Sequence, residues 1–234
     1  SKGYKALFSA IAALSEGDKE KALTHSKKAK KLLINDQLAI LISAQVAQQT
    51  GKTKFAVSEY KKLLSNRESR SVALNGIISE KIKSGEYEDA LLIAKKSIQI
   101  NPKNIVALTT LFNLQIQEGD WSGARLTLNQ KYKIEKSTKE EYLRQEAVLL
   151  FAEAKDSRAK GHIKTALATV STAVKQYPGF VAALSMVAEL EILSGNKKRL
   201  ETLLKKGWLA NPHPQIAASF ASIAPDETPE ERMK

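Results

Sequence analysis

The sequence predicts an all-α protein, an α-solenoid of about six helical hairpins with a C-terminal capping helix. Three observations carry that reading. Gly and Pro number only 11 and 6 in 234 residues, too few for the many tight turns of a sandwich or barrel. Gly17, Gly51, Gly85 and Gly119 recur every 34 residues, and after a gap of 42 the interval returns from Gly161 to Gly195. Apolar residues on either side of each Gly fall three and four apart, as in Leu74, Ile77, Ile78 and Ile82, then Ala90, Leu91, Ala94 and Ile98, which is the spacing of one helix face.

Each recurring position has a mechanical reason. The Gly ends a first helix and accepts the positive φ of the turn. Five residues on, Ala22, Ala56, Ala90, Ala124, Ala166 and Leu200 are small or apolar where two helices approach. Seventeen residues past the Gly, Pro102, Pro178 and Pro212 stop the second helix. The hairpins are expected at about 3–36, 37–70, 71–104, 105–138, 139–180 and 181–212. In the fifth, Ser137-Thr138-Lys139-Glu140-Glu141 offers a capping box, so the eight extra residues of the long interval lengthen its first helix, which should run to about Lys160. Residues 213–224, with Ile216, Phe220 and Ile223 on one face, are expected to cover the last hairpin, and 225–234 form an acidic tail. Thr228-Pro229-Glu230-Glu231 reads as the start of a further helix, and the opening Ser1-Lys2-Gly3 as that of a fragment.

The run Gly85-Glu86-Tyr87-Glu88-Asp89-Ala90 through Ile100-Asn101-Pro102, with Gly119-Asp120-Trp121-Ser122-Gly123-Ala124, resembles tetratricopeptide repeats, and the likeness extends over about residues 3–212. The first two repeats depart from it, with Lys19 and Thr53 where the others have Tyr87, Trp121 and Ile163. A narrower resemblance rests on Gly207-Trp208-Leu209-Ala210-Asn211-Pro212-His213-Pro214, on Ala224-Pro225-Asp226-Glu227-Thr228-Pro229 and on the opening Lys2-Gly3-Tyr4-Lys5-Ala6-Leu7. Together these are similar to the HemY family of proteobacteria. That resemblance implies an inner-membrane protein linked to porphyrin and haem biosynthesis, whose repeat domain follows an N-terminal anchor and lies on the cytoplasmic side. A flavin enzyme that shares the family's name would need a G-x-G-x-x-G turn, and the sequence has none.

The sequence offers no catalytic constellation, so no enzyme, cofactor or metal is predicted. Cysteine is absent, which excludes disulfides and thiol chemistry. His25, His162 and His213 lack a neighbouring ligand at helical spacing, and Met186 has no partner that would mark a haem site. Trp121 and Trp208 read as packing residues. The longest uncharged stretch, Gln37 to Gly51, has 15 residues and four Gln, too short and polar to cross a bilayer.

In tetratricopeptide arrays the first helix of each pair lines the concave face. The inward positions hold Leu41, Gln45, Gln48 and Gln49, then Asn75, Ser79, Ile82 and Lys83, then Thr109, Asn113, Ile116 and Gln117. Carboxamides both donate and accept, matching an extended peptide backbone. The expected partner is therefore a protein or peptide segment, although a solvated polar face explains the same residues. A tetrapyrrole carrier and an RNA-binding repeat protein are the alternatives. Residues 1–70 carry 14 basic and 6 acidic side chains, two thirds of the net +12, and Lys27, Lys28, Lys30, Lys31, Lys61 and Lys62 form a patch suited to an anionic membrane surface. Nucleic acid is disfavoured because the patch has few aromatic residues.

Overall fold

The computed structural model describes residues 1–194 and 197–223. Gly195, the 225–234 tail and the helix start expected at Thr228 lie outside the described residues. Among those described there are thirteen helices and no strand, which agrees with the all-α expectation. The chain divides into two compact units, the first covering residues 1–114 and the second beginning at residue 115.

In the first unit, α1 (Lys2–Ser15) pairs with α2 (Lys19–Leu32), α3 (Gln37–Gln49) with α4 (Thr53–Lys62), and α5 (Arg67–Lys83) with α6 (Tyr87–Ile100). The first helices α1, α3 and α5 are successive neighbours. The turns obey the rule read from the sequence: Gly17, Gly51 and Gly85 have φ between 73° and 76°. Asp18, Asp36 and Asn66 accept the amides of Lys21, Ala39 and Glu68 at 3.0, 2.9 and 2.8 Å, supplying acceptors to otherwise orphaned helix N–H groups. Ala22, Ala56 and Ala90 are fully buried, and the small side chain lets the helix axes close. Gly76 serves the same end, since its bare Cα faces the ring of Tyr60.

One hairpin departs from the pattern. α2 and α6 end at Leu32 and Ile100, fifteen residues beyond their turn glycines, whereas α4 ends at Lys62, eleven beyond Gly51. The lost turn has a local cause. Arg70 Nε and Ser69 Oγ donate to the carbonyls of Leu64 and Leu63 at 2.8 and 2.9 Å, which satisfies chain ends that a further helical turn would have used. α5 therefore starts at Arg67, four residues ahead of the expected repeat boundary at Ser71.

α7 (Ile105–Glu118) runs from the first unit into the second. The second unit continues with α8 (Trp121–Glu135), α9 (Lys139–Ala159), α10 (Ile163–Gln176), α11 (Val181–Ser194), α12 (Lys197–Ala210) and α13 (Pro214–Ile223). α9 is the lengthened helix expected from the long interval, at 21 residues, and Thr138 and Glu141 form its capping box. Trp121 is half-buried, and its indole Nε1–H donates to Asp156 Oδ2 at 2.6 Å. Leu184, Leu204 and Ile216 are fully buried in one cluster with Met186, so α13 closes the apolar surface of α11 and α12. Trp208 corrects the expectation of packing: it is 42% exposed, because it is Gly207, lying against Leu184, that faces inward at that point of α12.

Candidate functional site

The residues expected to line a binding face fall into two groups. Gln49, Lys83, Asn113 and Gln117 are exposed, while Leu41, Gln45, Gln48, Asn75, Ser79 and Thr109 are half-buried. In the first unit, α3 and α5 carry most of them and α7 adds Thr109 and Asn113. Gln117 belongs to the second unit.

Several of the carboxamides act as ties between helices. Tyr60 OH donates to Gln48 Oε1 at 2.7 Å, and Gln48 Nε2 donates to Ser79 Oγ at 2.9 Å. The chain α4–α3–α5 thereby fixes the register of two adjacent first helices. One hairpin further, Asn104 Nδ2 donates to Asn75 Oδ1 and to Ser97 Oγ, each at 2.9 Å, and Asn104 Oδ1 accepts the Ala107 amide at 3.2 Å. These groups are buried or half-buried, where an unmatched polar atom costs about 1–3 kcal/mol, so the ties are strongly specified. The polar column is thus held by its own neighbours, and Gln45, Gln49, Lys83 and Asn113 carry the side chains that remain to be offered outward. Lys83 also reaches back to the buried carboxylate of Glu80 at 3.0 Å.

The basic patch is likewise reshaped. Glu59, wholly buried, accepts Lys30 Nζ on Oε2 at 2.6 Å and Lys62 Nζ on Oε1 at 2.5 Å. Burial pushes this carboxyl up, but the hydrogen bonds and charges of the two lysines outweigh it and hold the group below the usual carboxylate range. Lys30 also lies over the Phe55 ring at 5.3 Å. Lys30 and Lys62 are therefore engaged with the fold, and Lys27, Lys28, Lys31 and Lys61 remain as exposed members of the patch. Burial, with the Glu80 charge second, pushes the Tyr60 phenol up to about 12, so it stays a neutral donor to Gln48.

The sequence reading missed Glu59, Tyr60, Asn104 and Asp156. Tyr60 had no signal in the repeat, since the positions nine residues past Gly17, Gly85, Gly119 and Gly161 hold Ser26, Ala94, Leu128 and Val170. Glu59 had a partial one in Lys62, three residues on, whereas its other partner and that of Asp156 lie 29 and 35 residues away. Of the three histidines, His25 is half-buried and His162 and His213 are exposed, while Met186 lies in the core. Among the described residues no three His, Cys, Asp or Glu side chains converge to hold a metal ion, and no helix is long and apolar enough to cross a membrane.

Residues 81–130 match the family described as Tetratricopeptide repeat. No curated protein matches the chain. Among solved structures, the C-terminal part of a tetratricopeptide repeat-containing protein from Cytophaga hutchinsonii is similar at 11% identity and a TM-score of 0.64, over 93% of this chain and 87% of that one. A tetratricopeptide repeat protein from Parabacteroides merdae is 17% identical with a TM-score of 0.55, over 99% and 90% of the two chains. The Naa15/Naa10 complex bound to HypK-THB gives 14% identity and a TM-score of 0.61, over 96% of this chain and 34% of that chain. At such identities the likeness is one of fold: the helical hairpins are those of tetratricopeptide repeats.

Proposed function

We propose that the chain is a non-catalytic scaffold that holds a segment of a protein partner against the first helices of its hairpins, principally at Gln45, Gln49, Lys83, Thr109 and Asn113. The observation that carries this reading is the pair of ties, Gln48 to Ser79 and Asn75 to Asn104. They hold successive first helices in fixed register before any partner arrives. A preorganised polar face loses less side-chain entropy on binding than a mobile one, and its remaining carboxamides can pair with the N–H and C=O groups of an extended segment. The solved relative bound to HypK is consistent with protein binding by this fold. Capture of the partner by wild-type protein, and by Gln49→Ala plus Asn113→Ala, tests the surface. Both side chains are exposed, so folding should be kept while capture drops, and unchanged capture discards this face.

We propose further that the full-length protein sits at a bacterial inner membrane, with this domain on the cytoplasmic side, and serves porphyrin and haem biosynthesis. The support is the tail and opening motifs quoted above and the basic excess of residues 1–70. Lys27, Lys28, Lys31 and Lys61 are the side chains available to anionic head groups, at about 1 kcal/mol each near the surface. Co-sedimentation with phosphatidylglycerol vesicles that persists when these four are changed to Gln would remove the membrane part of the proposal.

A further inference from the structure

The early stop of α4 leaves an apolar groove of about 410 Å³ in the first unit, and we propose that it binds a single-chain anionic amphiphile, an aliphatic chain ending in a carboxylate. The floor is Leu64, Leu74, Ile77, Ile93 and Ile100. Its volume lies in the ~300–1,000 Å³ range of small-ligand sites. The missing turn explains why it is open. Four residues are absent relative to α2 and α6, about 6 Å of helix at 1.5 Å per residue, and Ile100 is left 45% exposed.

Charge and hydrogen-bonding capacity select the occupant. Lys61, Arg70 and Lys96 are the charged side chains that line the groove, and no acid lines it. Lys61 and Lys96 are exposed, placed to meet a carboxylate while the chain lies on the aliphatic floor. Arg70 already donates to the Leu64 and Ser65 carbonyls at 2.8 and 3.4 Å, so it contributes its charge more than new hydrogen bonds. An extended peptide suits the place less well. The lining side chains offer donors but no acceptor, and peptide N–H groups laid on them would go unpaired. An aliphatic chain has no such need.

Isothermal titration of the whole chain with dodecanoate, below its critical micelle concentration, tests the proposal. Saturable binding of one molecule per chain is expected. Affinity should fall about fourfold for each methylene removed in decanoate and octanoate, since burying a methylene contributes ~0.8 kcal/mol. Dodecyltrimethylammonium, with the same chain and the opposite charge, should bind at least tenfold more weakly. Lys61→Glu with Lys96→Glu, and separately Ile100→Asp, should each lower dodecanoate affinity at least tenfold with an unchanged circular dichroism spectrum. Lys205→Glu with Lys206→Glu, exposed on α12, should leave it unchanged and so separates the groove from general attraction to a basic protein. Equal binding of the cationic amphiphile, indifference to the Lys61 and Lys96 changes, or binding to anionic vesicles without saturable uptake of free dodecanoate would overturn it.

Discussion

Replacing Gly76 with Ala sets two effects of opposite sign against each other. Gly76 lies inside α5, and in an open helix interior Gly→Ala stabilises by about 1 kcal/mol. Here a Cβ would come within 2.6 Å of three ring carbons of Tyr60. The ring is only 2% exposed, and its hydroxyl is held by Gln48 at 2.7 Å, so it cannot turn aside without losing that bond. Overpacking of this kind costs about 1–3 kcal/mol, and the lost hydrogen bond about 1 more. Steric cost therefore outweighs propensity, and Gly76→Ala should destabilise the first unit by about 1–3 kcal/mol. Urea unfolding followed by far-ultraviolet circular dichroism measures it. Tyr60→Ala alone should cost about 3–5 kcal/mol through the cavity it leaves. The double variant should cost less than the sum, because the new methyl then enters vacated space. A stabilised Gly76→Ala, or strict additivity with Tyr60→Ala, would refute the close approach of α4 and α5 at this point.

Two further outcomes concern protons. The Glu59 carboxyl, held low by Lys30 and Lys62, adds stability that is present above the unfolded carboxyl's pKa of about 4.5 and is lost as pH falls through its lower folded value. Lys30→Met should therefore weaken the fold by about 1–3 kcal/mol near neutral pH, and the difference from wild type should shrink below pH 4.5; thermal melts at pH 3 and pH 7 compare the two. Tyr60 runs the other way, since its phenol is raised from 10.0 to about 12. Its contribution is complete below pH 10 and disappears as pH climbs through 12, while the unfolded chain is already ionising. Absorbance at 295 nm should show Tyr60 titrating at about pH 12 in the folded protein, beside Tyr4, whose phenol its hydrogen bond to Asp36 also raises, and Tyr60→Phe should abolish the step at about 12.

The helical hairpins were legible because their signals are local. A turn that needs positive φ demands Gly, and Gly17, Gly51, Gly85, Gly119 and Gly161 all adopt it, with φ between 72° and 79°. Thr138 and Glu141 announced the cap of α9 in the same way, through neighbours three residues apart. The early end of α4 was only partly legible: Asn66, which caps α5, is a helix-start residue, but no residue between 60 and 65 forbids helix. It depends on Arg70 and Ser69 turning back to carbonyls six residues away. Gln48 and Lys30 show the same limit at the site. Their residue types placed them on a polar face and in a basic patch, but Tyr60, Ser79 and Glu59 engage them across 12, 31 and 29 residues. Residue type and repeat phase locate a face, whereas which of its side chains are already engaged is a tertiary property.

Site-specific photocrosslinking tests most directly whether partners are held on the first helices. A benzophenone side chain at Gln49 or Asn113, compared with one at the exposed Lys95 of α6, would be irradiated in cells expressing the protein. One partner should be trapped from the first two positions through a single continuous segment of its chain, and not from Lys95. Equal trapping from Lys95, or none from Gln49 and Asn113, would contradict the account.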